Sequence, residues 1–369
     1  MRLLLWHWGR RGAGPLVALR LAEALGEIQG MPPILSLAAG AEVLRGGGGA
    51  WCDWPEPTYR NAGGYVLQWL AAPVLRRRTA RRILRLAPLD FAVCAMPAML
   101  DGRMVWALRR QRVPYAVIVH DAHPHPGDRL RFRLLGQKKL LAGAEILFPL
   151  SSHVEAGLRR QGFGRNRQRI VKLWLPPFSF GDTPPPFRHG GKPRLLCFGR
   201  LLPYKGLDLL ADALALLGPE LPFEIRICGE GPVSGALARL RAIEGVRVDR
   251  RWIPEDELPG LIAWADAVVL PYREASQSGV AAAAIGQGRL VVATNVGGLP
   301  EQLERVPGAI LCEPEAAALA AALRRVGQAS PALTSPALTS PALIPIPTGE
   351  WRELAAALVK ELENRSDSS

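Results

Sequence analysis

The chain has 369 residues, 49% of them hydrophobic and 21% charged, with 38 Gly and 33 Pro; at roughly 100–200 residues per domain this predicts two folded domains and excludes disorder and a coiled coil. The net charge of +13 is unevenly placed: residues 1–187 carry 27 basic and 12 acidic side chains, residues 188–369 carry 19 and 21, so an anionic partner belongs to the first half. No apolar run reaches the roughly 18–20 residues that span a bilayer, the apolar stretch at residues 3–6 is too short for a signal-peptide core of about 7–15 residues, and the five cysteines stand far apart; the expectation is a cytosolic protein with core cysteines.

In chain order, apolar runs at residues 2–8, 33–37, 91–95, 115–120 and 145–150 read as strands, with helix-period stretches such as 15–25 and 104–110 between them. This is a βαβ rhythm. Residues 63–75 supply Tyr65, Val66, Leu67, Trp69, Leu70 and Val74, and Arg76, Arg77, Arg78, Arg81, Arg82 and Arg85 follow at once. Apolar and aromatic residues beside clustered cations suit an interfacial segment on an anionic membrane. Trp69, Arg76, Arg77, Arg78, Arg81 and Arg82 are therefore expected to contact one. A solvated basic helix is the plainer reading, and no nucleic-acid module is recognised. His120 closes a strand and is followed by His123 and His125; prolines between the histidines and the lack of a Cys partner speak against a metal.

Thr183-Pro184-Pro185-Pro186 and then Gly190-Gly191 break the rhythm. The first domain is thus expected over residues 1–182, a linker over 183–193 and a second domain over 194–329. In the second half, strands are predicted at 195–198, 224–228, 246–248, 267–270 and 290–293, and helices at 206–217, 235–243, 255–264 and 279–286. Short buried strands between helices make a parallel sheet. The fold class is α/β, with two Rossmann-like doubly wound domains facing across a cleft, where ligands meet the carboxyl ends of the strands. Ser330-Pro331-Ala332-Leu333-Thr334 recurs at 335–339, and Pro every five residues makes 330–347 an extended connector. Residues 348–369 end the chain with a polar tail and a helix carrying Trp351, Leu354, Ala355, Leu358 and Leu362 on one face.

Three motifs of the second half carry chemistry. Arg200 and Lys205 bracket a loop between a strand and a helix, an arrangement suited to a diphosphate: Arg offers a planar fork, Lys a point charge, and the helix start adds partial positive charge. Exposed loop bases are the competing reading. Gly229-Glu230-Gly231-Pro232 follows the next strand, where missing side chains let backbone approach a ligand. Glu274-Ala275-Ser276-Gln277-Ser278-Gly279 is a polar loop on a helix start, with N–H groups and hydroxyls for an anion.

Taken in order, Gly199-Arg200…Lys205-Gly206, Gly229-Glu230-Gly231-Pro232, Leu270-Pro271-Tyr272…Ser278-Gly279 and Val296-Gly297-Gly298-Leu299-Pro300-Glu301 resemble the donor half of the family 4 glycosyltransferases, retaining enzymes of the GT-B fold. The dense match spans residues 194–304. The first half is more loosely similar to the family's acceptor domain, through the loop with Gly12, Ala13 and Gly14, the pair His120-Asp121, and Pro149-Leu150-Ser151-Ser152. The resemblance implies that Arg200 and Lys205 bind the diphosphate of a UDP- or GDP-linked sugar. Gly229, Gly231, Ser276, Gln277, Ser278 and Gly279 would line the donor site. Glu274 and His120 would join the catalytic set, with His120 reaching the transferred sugar; a structural histidine at a strand end is its other reading. The closing helix would cross back to the first domain. Also implied are a nucleotide-sugar co-substrate with no further cofactor, no metal, and a glycan or lipid-linked acceptor at the inner face of the cytoplasmic membrane.

One departure stands out. The family's Glu-x7-Glu pair would fall at Ala275 and Ala283, and its second Glu normally holds the nucleotide ribose. Two other functions therefore stay open: a catalytically silent GT-B protein that binds a nucleotide sugar, and a nucleotide-sugar epimerase, for which no converging acid–base set is found.

Overall fold

Every residue of the strand β1 (Leu3–His7) is buried, as are those of β4 (Phe91–Cys94), β5 (Tyr115–Val119) and β6 (Ile146–Pro149). Strands without polar alternation are those covered by helices on both faces, the setting of a parallel sheet. The computed structural model, which describes residues 1–45, 51–86, 88–123, 131–180, 191–328 and 349–364, has this arrangement twice.

The first unit holds the described residues up to Trp174 and the C-terminal helix. Its sheet adds β2 (Ile34–Ala38), β3 (Trp54–Glu56) and β7 (Arg169–Ile170), in the order β3-β2-β1-β4-β5-β6-β7. All neighbours are parallel, with Leu4 opposite Ile34 and Leu5 opposite Val93. Helices α1 (Ala13–Gln29), α2 (Ala62–Leu70), α3 (Ala72–Leu86), α4 (Asp101–Arg110), α5 (Arg131–Ala142) and α6 (Ser152–Arg160) connect the strands. Asn61 and Ser151 cap α2 and α6, each side chain accepting a first-turn backbone N–H, a contact worth about 1 kcal/mol.

The second unit runs from Leu175 to Gln328 among the described residues. Strands β8 (Arg194–Phe198), β9 (Glu224–Cys228), β10 (Val246–Asp249), β11 (Ala267–Leu270), β12 (Leu290–Thr294) and β13 (Ile310–Cys312) lie parallel in the order β10-β9-β8-β11-β12-β13. Its helices are α7 (Leu207–Leu217), α8 (Gly235–Arg241), α9 (Leu258–Trp264), α10 (Gly279–Gly286), α11 (Leu299–Leu303) and α12 (Ala316–Gln328). One apolar core unites α7, α8 and α12 with the strands through Leu210, Leu214, Phe223, Ile225, Leu240 and Leu323.

The last described helix, α13 (Glu350–Glu363), buries Leu354, Ala355, Leu358, Val359 and Leu362 and packs on α1. Each of the leucines and the valine contributes about 1.5–3 kcal/mol on burial. Arg169 reinforces the seat, its guanidinium paired with the Glu361 carboxylate and donating to the Glu361 carbonyl at 3.0 Å.

The structure departs from the sequence reading at several points. The first unit ends at Trp174 rather than 182, because the next residues fasten to the second: Phe178 N–H donates to the Ala282 carbonyl at 3.2 Å, and a Cβ on Gly286 would lie 2.3 Å from the Phe178 carbonyl oxygen. Strand β3 was not anticipated; it has three residues, one of them Pro55, and sits at the sheet edge, where proline is tolerated. Strands β7, of two residues, and β13, of three, and helix α12 also went unread. Trp351 is only half-buried, and Val359 takes its place on the α13 face. Most of the linker and the whole 330–347 connector lie outside the described residues.

Candidate functional site

Strand β8 ends at Gly199, which turns the chain at φ 111° so that exposed Arg200 follows. A 3-10 turn, Pro203–Lys205, then leads through Gly206 into α7. Gly206 has φ 65°, and a Cβ there would lie 1.8 Å from the Pro271 carbonyl oxygen. Only glycine fits such a position. The loop after β8 is thereby pressed against the loop after β11, its sheet neighbour.

The contact brings Lys205 to two aromatic rings. Its Nζ lies 3.7 Å from the Tyr272 ring centroid and 5.0 Å from that of Tyr204, and a cation over such faces gains about 0.5–2 kcal/mol. Arg200 Nη2 donates to the Tyr204 hydroxyl at 3.2 Å. The two cations singled out by spacing are thus held by one tyrosine pair, itself edge-to-face with centroids 6.4 Å apart. Arg273 locks the same corner: its guanidinium grips the Asp208 carboxylate at 2.6 and 3.0 Å, and its backbone N–H donates to the Tyr204 carbonyl at 2.8 Å. The Arg273 hydrogen bonds hold the Asp208 carboxyl below its ordinary range.

Tyr272 is 1% exposed. Burial pushes its phenol well above the ordinary value, so the ring stays neutral at physiological pH. Its hydroxyl is 3.4 Å from Ser278 Oγ, and its carbonyl accepts from Thr294 Oγ1 at 2.5 Å. Ser278 in turn caps α10, Oγ accepting from Ala281 N–H at 3.2 Å. Gln302 closes the frame: its Oε1 accepts from Ser278 N–H at 2.8 Å and its Nε2 donates to the Ser278 carbonyl at 3.0 Å. One buried ring therefore links Lys205, Tyr204 and the start of α10.

The remaining polar residues of this loop are half-buried Glu274 and Gln277 and buried Ser276. Gln277 Oε1 is enclosed and has no hydrogen-bond partner among the described residues; such an acceptor costs about 1–3 kcal/mol. Gly279 opens α10. Gly297, at φ 57°, lies against the loop from the other side: a Cβ there would stand 1.7 Å from the Ala275 carbonyl oxygen, which accepts from Gly298 N–H at 2.9 Å. Ala275 and Ala283 are both buried.

Gly229 and Gly231 lie where the strand-end turn was expected, and their missing side chains have a structural use. Their missing side chains let this turn pack on the chain itself: a Cβ at Gly229 would fall 1.7 Å from the Gly199 carbonyl oxygen, and one at Gly231 2.3 Å from that of Leu201. Leu201 N–H donates to the Glu230 carbonyl at 2.8 Å. The turn therefore braces the Arg200 loop from the β9 side. Cys197 and Cys228, in the strands below, have thiols pushed by burial up to about 12 and about 11, as befits packing residues.

In the first unit, Gly12 precedes α1 at φ 80° with nothing near its Cβ position. Ala13 and Gly14 begin the helix, and His7, buried at the end of β1, lies beneath: a Cβ on Gly14 would meet His7 Nε2 at 2.3 Å. His7 Nδ1 is 2.8 Å from the Met96 carbonyl oxygen, so this imidazole ties the glycine loop to the segment after β4. His120 follows β5, with Nε2 3.2 Å from Asp121 Oδ2 and its Nδ1 enclosed without a hydrogen-bond partner among the described residues. His123 is exposed beside Gln161, and His125 lies outside the described residues. Among the described residues no three His, Cys, Asp or Glu side chains gather where they could share a metal ion.

Trp69 and Arg76, Arg77, Arg78 and Arg81 are exposed on α2 and α3, whereas Arg82 is engaged by the fold: it donates to the Asp53 carbonyl at 3.2 Å and lies 4.8 Å over the Trp54 ring. No described helix is long and apolar enough to cross a membrane. The residues missed by sequence reasoning are Tyr204, Tyr272, Thr294, Gln302, the Asp208–Arg273 pair and His7. Tyr272 stood in the Leu-Pro-Tyr motif, but nothing in the sequence assigns a lysine 67 positions earlier as its partner.

Residues 192–328 match the family described as Glycosyl transferases group 1, and residues 14–174 match the Glycosyl transferase 4-like domain. Among curated proteins, the chain is 40% identical over 112 residues to a D-inositol 3-phosphate glycosyltransferase of Jonesia denitrificans, covering 27% of this chain and 26% of that protein. It is 35% identical to the same enzyme of Corynebacterium urealyticum over 53% of this chain and 52% of the relative. It is 27% identical to a GDP-mannose-dependent alpha-(1-6)-phosphatidylinositol monomannoside mannosyltransferase of Mycobacterium tuberculosis, over 47% of this chain and 56% of the relative. The chain thus spans about a quarter to just over half the length of the curated relatives it matches. Among solved structures, Anabaena HepE in complex with UDP-glucose superposes over 100% of both chains with a TM-score of 0.66 at 16% identity. Sucrose-phosphate synthase from Thermosynechococcus elongatus gives 0.61 at 18% identity over 100% of this chain and 97% of that one. These likenesses at low identity establish the two-domain GT-B fold.

Proposed function

The chain belongs to the group 1 glycosyltransferases and has the GT-B fold, and from that premise we propose that it moves a hexose from a UDP- or GDP-linked donor to a lipid-linked or surface-polysaccharide acceptor, with retention at the anomeric carbon. The observation that carries this reading is the clamp on Lys205: a cation beside Arg200, oriented by Tyr272 and Tyr204 next to the hydroxyl-capped start of α10. Preorganised positive charge at a helix start is what a departing diphosphate requires. The matched relatives include enzymes named for GDP-mannose and for inositol phosphate acceptors, which supports both halves of the proposal.

In the transfer, the bond from the sugar's anomeric carbon to the diphosphate oxygen breaks, and a bond to the acceptor oxygen forms on the same face. The acceptor's proton passes to the leaving diphosphate oxygen, and nucleoside diphosphate departs. Arg200 and Lys205 hold the charge that develops, without a metal. Glu274, Ser276 and Gln277 line the sugar, and His120 contacts the transferred sugar. The first unit, with its glycine loop at Gly12–Gly14, takes the acceptor, and the protein works as a peripheral protein at the inner face of the cytoplasmic membrane.

A panel of UDP-, GDP- and ADP-sugars tested by thermal shift, then with labelled sugar and acceptor lipid extract, checks the reading. A donor at 100 times its dissociation constant stabilises by about 2.7 kcal/mol, and a transferred label or slow donor hydrolysis is expected. Donor binding without either would assign the chain to the silent proteins, as Ala275 and Ala283 first suggested, and isomerised donor would make it an epimerase.

A further inference from the structure

Helix α2 is held to its unit by one side. Tyr65 stacks edge-to-face on Tyr59 with centroids 5.1 Å apart, and Gln68 Nε2 donates to the Pro57 carbonyl at 3.1 Å. Its other positions, Val66, Leu67, Trp69 and Leu70, together with Val74 at the start of α3, are 54–68% exposed. Soluble surfaces scatter large apolar side chains singly; a run of five within nine residues marks an interaction site.

Helix α3 continues this surface with charge. It buries Thr79, Ala80 and Ile83, and at 100° per residue the opposite face carries Val74, Arg77, Arg78, Arg81 and Arg85, spaced three, four, seven and eleven from the first. All four arginines are exposed, and among the described residues none makes an ion pair. Arg82, by contrast, is the anchor that fixes α3 through Trp54 and Asp53. Arg82 and Arg85 both stood in the basic cluster of the sequence; the fold engages Arg82 and leaves Arg85 exposed.

We infer that α2 and the outer face of α3 form a docking face for an anionic phospholipid bilayer, with Leu67, Trp69 and Leu70 entering the interface and Arg77, Arg78, Arg81 and Arg85 on the headgroups. This rests on the proposed acceptor being membrane-borne and adds which surface brings the first unit to it. Charge selects the sign of the partner, and the aliphatic side chains select its kind. A nucleic acid would meet the arginines but offers Leu67, Leu70 and Val74 nothing, whereas acyl chains beneath phosphate headgroups match both.

The test is cosedimentation of the full chain with vesicles of phosphatidylcholine alone or with roughly one-third phosphatidylglycerol. Binding only to the anionic vesicles, weakened at high salt, is expected. Arg77, Arg78, Arg81 and Arg85 changed together to Glu should lower it by roughly a hundredfold or more. Leu67, Trp69 and Leu70 changed to Ser should leave only an association that salt abolishes completely. Equal binding to neutral vesicles, or full binding by the fourfold Glu variant, would overturn the inference, as would a threefold Ser variant that binds like the parent at high salt. Thermal shift with nucleotide sugars on the same variants keeps the two proposals apart: vesicle binding without any donor response sinks the proposed transfer alone, and donor turnover without vesicle binding sinks the docking face alone.

Discussion

The two halves of this molecule fasten their loops to different degrees. In the second unit the loops beyond the strands are fastened to one another: Gly206 against Pro271, Gly229 against Gly199, Gly231 against Leu201, Gly297 against Ala275, and Lys205 against Tyr272. In the first, His7 holds the glycine loop at Gly14, but Gly12 has open space at its Cβ position, His120 Nδ1 has no partner among the described residues, and the apolar side chains of α2 face outward. On the proposed function the difference follows what each half would bind. A diphosphate is the same small charged group in every nucleotide sugar, so a preorganised frame would serve it at no reorganisation cost. An acceptor differs from enzyme to enzyme, and a looser surface would follow it.

The largest effect should come from the frame's charges. Arg200→Ala and Lys205→Ala are each expected to lower turnover by roughly 10²-fold or more, about 2.7–4 kcal/mol of lost stabilisation, with circular dichroism unchanged; near-normal rates in both variants would break the contrast at its centre. Glycine substitutions come next. Gly206→Ala should cost on the order of 2–3 kcal/mol in denaturant unfolding, from left-handed strain together with the clash on Pro271. Gly12→Ala should cost about 1 kcal/mol, from backbone conformation alone. Equal losses would mean that the two loops are equally fastened.

Smaller again is the aromatic seat. Tyr272→Leu should raise the donor KM and cut turnover about tenfold, whereas Tyr272→Phe, which keeps the ring under Lys205, should stay within about threefold. In a Lys205→Ala background the two should become indistinguishable. The smallest effect is electrostatic. Arg273 holds the Asp208 carboxyl below its ordinary 3.8, so the pair's stabilisation is complete above that value and fades as pH falls through the lowered one. Because both side chains are about half exposed, Arg273→Gln should cost only a few tenths of a kcal/mol at pH 7. Melting curves of the two proteins should draw together as the pH falls below 3.8.

How much of this could be read beforehand varied with the kind of residue. The strands at 224–228 and 267–270 and the helix at 279–286 lie where the apolar runs placed them, because a short run flanked by glycine and polar residues has few other solutions. Arg200, Lys205 and Ser278 were visible through their position at strand-to-helix turns. Strand β3 was invisible because three residues with a central proline carry no periodicity. Tyr272 was seen only as one letter of a motif, its function residing in a ring whose neighbours come from α10, β12 and the loop after β8.

By itself the sequence determined the α/β class, the two-unit organisation, the concentration of positive charge in the first half and the two cations that bracket the turn after β8. Each of these is written in local spacing or composition, which survive without any long-range contact. Only the tertiary structure decided that Gly229 and Gly231 brace a neighbouring loop, that Arg82 is an anchor while Arg85 faces outward, and that one buried tyrosine joins Lys205 to Ser278. Those outcomes depend on which segments the parallel sheet brings side by side, and strand order is set by packing between residues far apart in the chain.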